Sequence, residues 1–433
     1  MLGPSFGPEA NDHAPLLAQP AMHDYNHPRA MPPPRSDQRQ ASASARPATL
    51  AYADHAAEVG GAEISLRLLI RHLDRQAFRP MILHAPGAAW LDDTLCTGDT
   101  LLHEVFRDSR LLAPRRDDIR PSLLGNFGKV ALAARPVLEI RRLLRRHAAA
   151  LVHTNTLKCH LLAGAAGRLA GVPVVWHLRD IVDEEGSRQM LRRAAAWVRP
   201  TVIAISQAVA QQVAGLVDQV HVIHNGVPLD DFQPGPPSDE LRRELGLGPD
   251  DRVLMIVARL TPWKGHRQLL QALPLVAHRF DGVRFVVVGD TNFWEEEYLQ
   301  ELKDLAQAVG VAERVVWTGH REDIPELLKL AEVFVLPSRD EPFGRAIVEA
   351  MAMGKPVVAG RGGAAPEVCP DGLTGHLVDA DDPRDLAEAV ISLLADPARA
   401  AEMGQAGRER ALSLFDAKTT ARRVQDVYRE LLK

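Results

Sequence analysis

The chain has 433 residues, 46% hydrophobic and 25% charged, with a net charge of −5. This fits two or three ordinary globular domains and excludes a globally basic nucleic-acid binder. No apolar run approaches the roughly 18 residues of a spanning helix, and no basic-then-apolar leader is recognisable, so a cytoplasmic location is expected.

Residues 1–46 are rich in Pro, Ala, Ser and Gln without apolar periodicity, the composition of a disordered extension. Order is expected from Ala48. "ATLAYADHA" reads as a strand, "GGAEISLRLLIRHL" as a glycine turn opening an amphipathic helix, and "FRPMILHA" as the next strand. "ALVHTNT", a helix over 158–170, "PVVWHLRD", a helix over 187–197, "TVIAIS" and "QVHVIHNGVPLDDF" continue the alternation. "QPGPPSD" then has linker composition. The pattern restarts with the strand "RVLMIVARL", the helix "KGHRQLLQALPLVAHRF" and the strand "VRFVVVGD". The strands "VVWTG", "VFVLPS", "KPVVAG" and "GHLVD" follow, with helices between. Strands separated by helices imply parallel sheets of βαβ units. The expected architecture is α/β: two Rossmann-like domains facing across a cleft, 47–232 and 233–412, with a C-terminal helix in 413–433 packing back on the first. Ligands belong at the carboxyl ends of the strands.

Charge divides unevenly. Residues 47–232 hold 22 Lys/Arg against 19 Asp/Glu, a net of +3, while 233–433 carry a net of −8. Within 107–146 there are 11 basic and 4 acidic residues. Such a stretch suits either an anionic membrane surface or a solvated helix face.

The stretch "EPFGRAIVEAMAMGKPVVAG" sets Glu341 ahead of a helix starting near Gly344 and Glu349 in its second turn. Carboxylates beside a helix N-terminus suit a polyhydroxyl ligand bearing phosphate, because the amides favour anions. A surface helix with two solvated acids fits the same residues. In "ARLTPWKG", Arg259 and Lys264 fall at a strand end and a helix start, a planar fork and a point charge for a diphosphate. Gly60 and Gly61 open the corresponding helix in the first half, where backbone could approach phosphate. His177 ends a buried-type strand; most such histidines are core residues, and a cleft role is the alternative. Cys96, Cys159 and Cys369 are too few and too scattered for a disulfide framework. Cys159 and His160, with His153 nearby, match no zinc spacing and read as structural. Asp379 and Asp381 sit in a polar turn, which argues against a metal–nucleotide site.

Taken together, "VARLTPWKGH", "VVVGD", "VVWTGHRED", "VFVLPSRDEPFGRAIVEAMAMGKPVVAGRGGAAPEV" and "DGLTGHLVDADDPRDLAEAV" resemble, in order, the retaining glycosyltransferases of the GT-B fold often called family 4. "VGGAE", "LVHTNT", "WHLRD", "AISQAV" and "VIHNGVPLDDF" agree in the first half. The resemblance covers residues 48–433 and is weak over 84–150, where the acceptor is expected. It departs after "VVVGD", where "TNFWEEEY" replaces a Gly-Pro turn.

The resemblance implies transfer of a sugar from a nucleotide-diphosphate donor to a glycan or lipid-linked acceptor, in cell-surface polysaccharide or glycolipid biosynthesis. It assigns Glu349 to the ribose hydroxyls and Glu341 to the donor sugar, with Phe343 and Gly344 amides nearby. Arg259 and Lys264, helped by Gly61 backbone, would neutralise the leaving diphosphate without metal or cofactor, and His177 would stand beside the sugar. A catalytically silent nucleotide-sugar binder or a sugar-nucleotide epimerase are the alternatives on this architecture.

Overall fold

Strands that are apolar on both faces must be covered on both faces, and the chain satisfies this with two all-parallel sheets. The computed structural model describes residues 46–108, 123–182, 184–291 and 296–433. Residues 1–45, 109–122 and 183, and residues 292–295 within "TNFWEEEY", lie outside them.

The first sheet comprises β1 (Ala48–Ala53), β2 (Phe78–His84), β3 (Leu101–Glu104), β4 (Leu151–Thr154), β5 (Val174–Leu178), β6 (Thr201–Ala204) and β7 (Val220–Val222), in the order β3-β2-β1-β4-β5-β6-β7. The second comprises β8 (Arg252–Val257), β9 (Val283–Val288), β10 (Val315–Gly319), β11 (Val333–Leu336), β12 (Val357–Gly360) and β13 (Gly375–Val378), in the order β10-β9-β8-β11-β12-β13. All paired strands in both sheets run parallel. Each order reverses once, between β1 and β4 and between β8 and β11. Those reversals are the switch points where such sheets leave a crevice.

β3 was not expected from the sequence. It is a four-residue edge strand, Leu-Leu-His-Glu, alternating half-buried and exposed, too short and too polar on one side to stand out.

The first sheet is covered on two sides by different sets of helices. Ile140, Leu144, Cys159, Ala163, Leu191 and Ala195 pack on one face. On the other, Leu66, Leu69 and Ile70 of the helix Gly61–Arg71 meet Val424, Val427 and Tyr428 of the helix Ala417–Leu431. The last helix of the chain therefore completes the core of the first sheet. Its Tyr428 hydroxyl lies 2.8 Å from His153 Nδ1 in full burial. Cys159 is buried and His160 Nδ1 lies 2.7 Å from Thr154 Oγ1, its ring stacked on Trp176.

The sheets are joined by contacts between their loops. Ser206 Oγ donates to the Pro342 carbonyl at 2.8 Å, and Glu367 accepts the Gln207 and Ala208 amides at 2.8 and 3.0 Å. The buried Phe343 ring packs against His224 and Phe415. Gly226 makes a close approach: a Cβ there would fall 2.3 Å from Ala417 Cα.

Candidate functional site

The second sheet places two of the expected charges in contact. After β8 the chain leaves through Arg259 and a tight turn, Pro262–Lys264, then enters the helix His266–Arg279 through Gly265 at φ +81°. After β11, the neighbouring strand, it runs into the loop carrying Glu341. Lys264 Nζ donates to Glu341 Oε2 at 2.7 Å, with 14% and 8% of the two side chains exposed. The ammonium also lies 4.0 Å from the Trp263 ring centroid. His266 is fully buried, and burial followed by the Lys264 charge lowers its pKa to about 3, so it adds no charge. Arg259 is exposed at the same edge. Burial raises the pKa of Asp180 in the first half, against the charges of Arg179, Arg259 and Lys264.

Glu349 occupies the next layer. Gly344, at φ +88°, caps the helix Arg345–Ala352, a left-handed geometry that favours glycine. The first amides of this helix have no intrahelical partner and point out of its N-terminus. Glu349 lies one turn in, its carboxylate 3.4 Å from Arg345 Nη2. Burial raises its pKa, and the Arg345 charge and hydrogen bond oppose the rise.

The first half contributes a buried polar network from four strand ends. Asn155 Nδ2 donates to Asp54 Oδ2 at 2.6 Å and to the Ala62 carbonyl at 3.2 Å. Arg179 Nε donates to Asn155 Oδ1, and its Nη1 to Asn225 Oδ1 at 2.8 Å. Burial lowers the Arg179 pKa to about 10, which leaves it charged at neutral pH. Glu63 Oε2 accepts the Gly60 amide at 2.9 Å, fixing the turn that starts the helix at Gly61. Gly61 is exposed, and a Cβ there would meet Arg345 Cδ at 3.5 Å.

The structure thus brings Lys264 and Glu341 into contact at one switch point, with Arg259 exposed two residues after β8, Glu349 on the adjoining helix and Gly61 next to Arg345. No hydrogen bond joins His177 to them among the described residues. That ring is 2% exposed and lines a cavity of about 10 Å³, room for a single water, with Ser65, Asn225, Gly226 and Thr420. Its Nδ1 lies 3.2 Å from Arg179 Nη2, and its Nε2 has no hydrogen-bond partner among the described residues. The physical reason is alternation: His177 shares its side of β5 with Val175, and that side is the one the C-terminal helix covers. Asp381 is held by Arg339.

Asp54, Asn155, Arg179 and Asn225 were not singled out from the sequence. A signal was present: Asp54, Asn155 and Arg179 each follow directly on the last residue of a buried strand, and Asn225 comes three residues after β7.

Two facing parallel sheets with charged residues gathered at their carboxyl edges define a GT-B architecture. Residues 59–231 match the family model described as Glycosyltransferase Family 4, and residues 237–410 the one described as Glycosyl transferases group 1. Over 317 residues the chain is 35% identical to the alpha-maltose-1-phosphate synthase of Mycolicibacterium smegmatis, covering 66% of this chain and 80% of that protein. A GDP-mannose-dependent alpha-(1-6)-phosphatidylinositol monomannoside mannosyltransferase of the same organism is 40% identical over 212 residues. That match covers 47% of this chain and about half of the relative, 54%. The crystal structure of Anabaena Alr3699/HepE in complex with UDP and glucose superposes with a TM-score of 0.74 at 26% identity, over 88% of this chain and 98% of that one. The chain belongs to the family 4 (group 1) glycosyltransferases.

Proposed function

We propose that this protein transfers a sugar from a nucleoside diphosphate donor to a hydroxyl of a glycan or lipid-linked acceptor, with retention of configuration, in the assembly of a surface polysaccharide or glycolipid. The Lys264–Glu341 pair carries the reading: a nearly buried cation and carboxylate at the switch point, with Arg259 exposed two residues after β8. Lys264 and Arg259 take the diphosphate, Glu341 the donor-sugar hydroxyls, and Glu349 the ribose. The amides of Gly61, Phe343 and Gly344 approach phosphate and sugar.

In the reaction the bond from the anomeric carbon to the phosphate oxygen breaks, and the acceptor oxygen bonds to that carbon from the same face. The acceptor proton passes to the departing phosphate oxygen. The protein's part is positioning and stabilisation of the leaving charge, which Arg259 and Lys264 supply without a divalent cation. His177 acts through Arg179 as a positioning residue.

The anionic membrane surface belongs to the same proposal. Within 107–146 the described face exposes Arg135, Leu138, Arg142 and Arg145, and the helix Glu185–Val198 adds Met190, Arg193 and Trp197. Cations around exposed apolar side chains suit a lipid interface.

The test is a melting-temperature screen of UDP, GDP and ADP, followed by the sugars of whichever nucleotide stabilises the fold. Product analysis by NMR then reads the anomeric configuration, with and without EDTA. Epimerised donor, binding without turnover, inverted product or EDTA-sensitive turnover would each count against the stated form of the reading.

A further inference from the structure

Arg345 has three acceptors, drawn from both halves of the molecule. Nη2 reaches Glu349 Oε1 at 3.4 Å; Nη1 donates to Ser65 Oγ at 3.2 Å and to the Gly226 carbonyl at 3.0 Å. Ser65 in turn donates to the Gly61 carbonyl at 2.8 Å, within the first turn of the helix Gly61–Arg71. Gly226 follows Asn225, which accepts from Arg179. A chain of hydrogen bonds therefore runs from Asp54 through Asn155, Arg179 and the Asn225–Gly226 segment to Arg345 and Glu349.

An ordinary helical Arg–Glu pair four residues apart lies on the surface and contributes little. This one differs on two counts. The side chains are only 15% and 13% exposed, so a charge left alone here would be costly. Nη1 of Arg345 also crosses to the opposite half instead of pointing to solvent.

We propose that Arg345 is the positioning residue of the donor site: it holds the Glu349 carboxylate for the ribose hydroxyls and fixes its helix against the Gly61 helix and the Gly226 backbone. The proposal rests on the donor reading above, in which the diphosphate lies near Gly61 and the ribose at Glu349. Arg345 then sets the distance between the two ends of the nucleotide.

The surroundings of Glu349 make this measurable. Arg345 is the cation next to it on its own helix. From the first half, Arg67 and Arg179 bear on Arg345. The helix Pro397–Leu414, packed on the far side, turns Gly407 toward Met351 and sends Arg408 to the Ala352 carbonyl. Without Arg345, Glu349 is a buried carboxylate with no adjacent cation, and it takes up a proton more readily.

The experiment compares wild type, Arg345→Gln, Arg345→Lys, Glu349→Gln and the Arg345→Gln/Glu349→Gln double variant. Nucleoside diphosphate binding is measured by calorimetry from pH 6 to 9, and melting temperature without ligand from pH 5 to 8. Arg345→Gln is expected to bind about tenfold more weakly at pH 6 and to recover as pH rises, while wild type stays flat and Arg345→Lys falls between. A raised folded-state carboxyl pKa means stability is lost as pH rises. The melting-temperature deficit of Arg345→Gln should therefore widen from pH 5 to 8, and the double variant should lack that trend. A deficit constant with pH, or wild-type binding by Arg345→Gln, overturns the proposal. Absence of binding by wild type overturns the donor reading instead, and the ligand-free melting series still judges Arg345.

Discussion

Lys264 Nζ lies 2.7 Å from Glu341 Oε2, and this contact joins the turn after β8 to the loop after β11 across the reversal of the second sheet. Without donor the two charges satisfy each other in near burial. On the proposed function, an incoming diphosphate would compete for the ammonium and free the carboxylate for sugar hydroxyls, so the pair would couple recognition of the leaving group to recognition of the sugar.

Replacing Lys264 by Ala should lower kcat about 100-fold, the loss of one transition-state charge contact worth roughly 3 kcal/mol. It also leaves Glu341 buried without its cation, so the melting temperature should fall. Adding Glu341→Gln should restore the melting temperature and leave kcat low. Arg259→Ala, at an exposed position, should lose kcat with no change in melting. Near-normal turnover in both Lys264→Ala and Arg259→Ala would remove the diphosphate assignment.

Glu349→Gln and Glu341→Gln should fail differently in steady-state donor kinetics. Ribose is bound equally before and during transfer, so Glu349→Gln should raise donor KM. In the proposed donor site Glu341 would stand where the sugar ring gains positive charge, so Glu341→Gln should lower kcat more than it raises KM. The reverse pattern would exchange the two roles.

Gly226→Ala tests the docking of the C-terminal helix. The added Cβ would fall 2.3 Å from Ala417 Cα and 2.8 Å from its amide nitrogen, so backbone must move. A destabilisation of about 1–3 kcal/mol is expected in urea unfolding. Because Gly226 also accepts from Arg345, donor affinity should fall with it. An unchanged midpoint would show that the helix yields freely.

Asp54 and Glu63 give the first half a pH dependence of definite sign. Burial, then the Glu63 charge, raises the Asp54 pKa to about 7. The folded protein therefore keeps a proton that the unfolded chain releases near pH ~4. This contribution to stability is present at low pH and is lost as pH rises from about 4 through 7. Asp54→Asn should flatten that part of the melting-temperature profile; an unaltered slope would assign it to other groups.

The sequence by itself determined the two parallel sheets, because strands such as "VLMIV" and "FVVV" are apolar on both faces and only a doubly covered sheet accommodates them. It also determined where Lys264, Arg259 and Glu341 stand, since each follows closely on a legible strand end. β3 escaped because four residues on an exposed edge leave no such pattern. Which way His177 turns was decided only by the arrival of the helix Ala417–Leu431, more than 200 residues later, over its side of β5. The partners of Arg345 were equally invisible: Gly226 and Ser65 lie 119 and 280 residues away along the chain. Local periodicity specifies an element and its ends, because it reflects burial along one segment. The pairing of a buried charge depends on which distant segments the fold sets against it, and in this protein the folding of the second half onto the first made that choice.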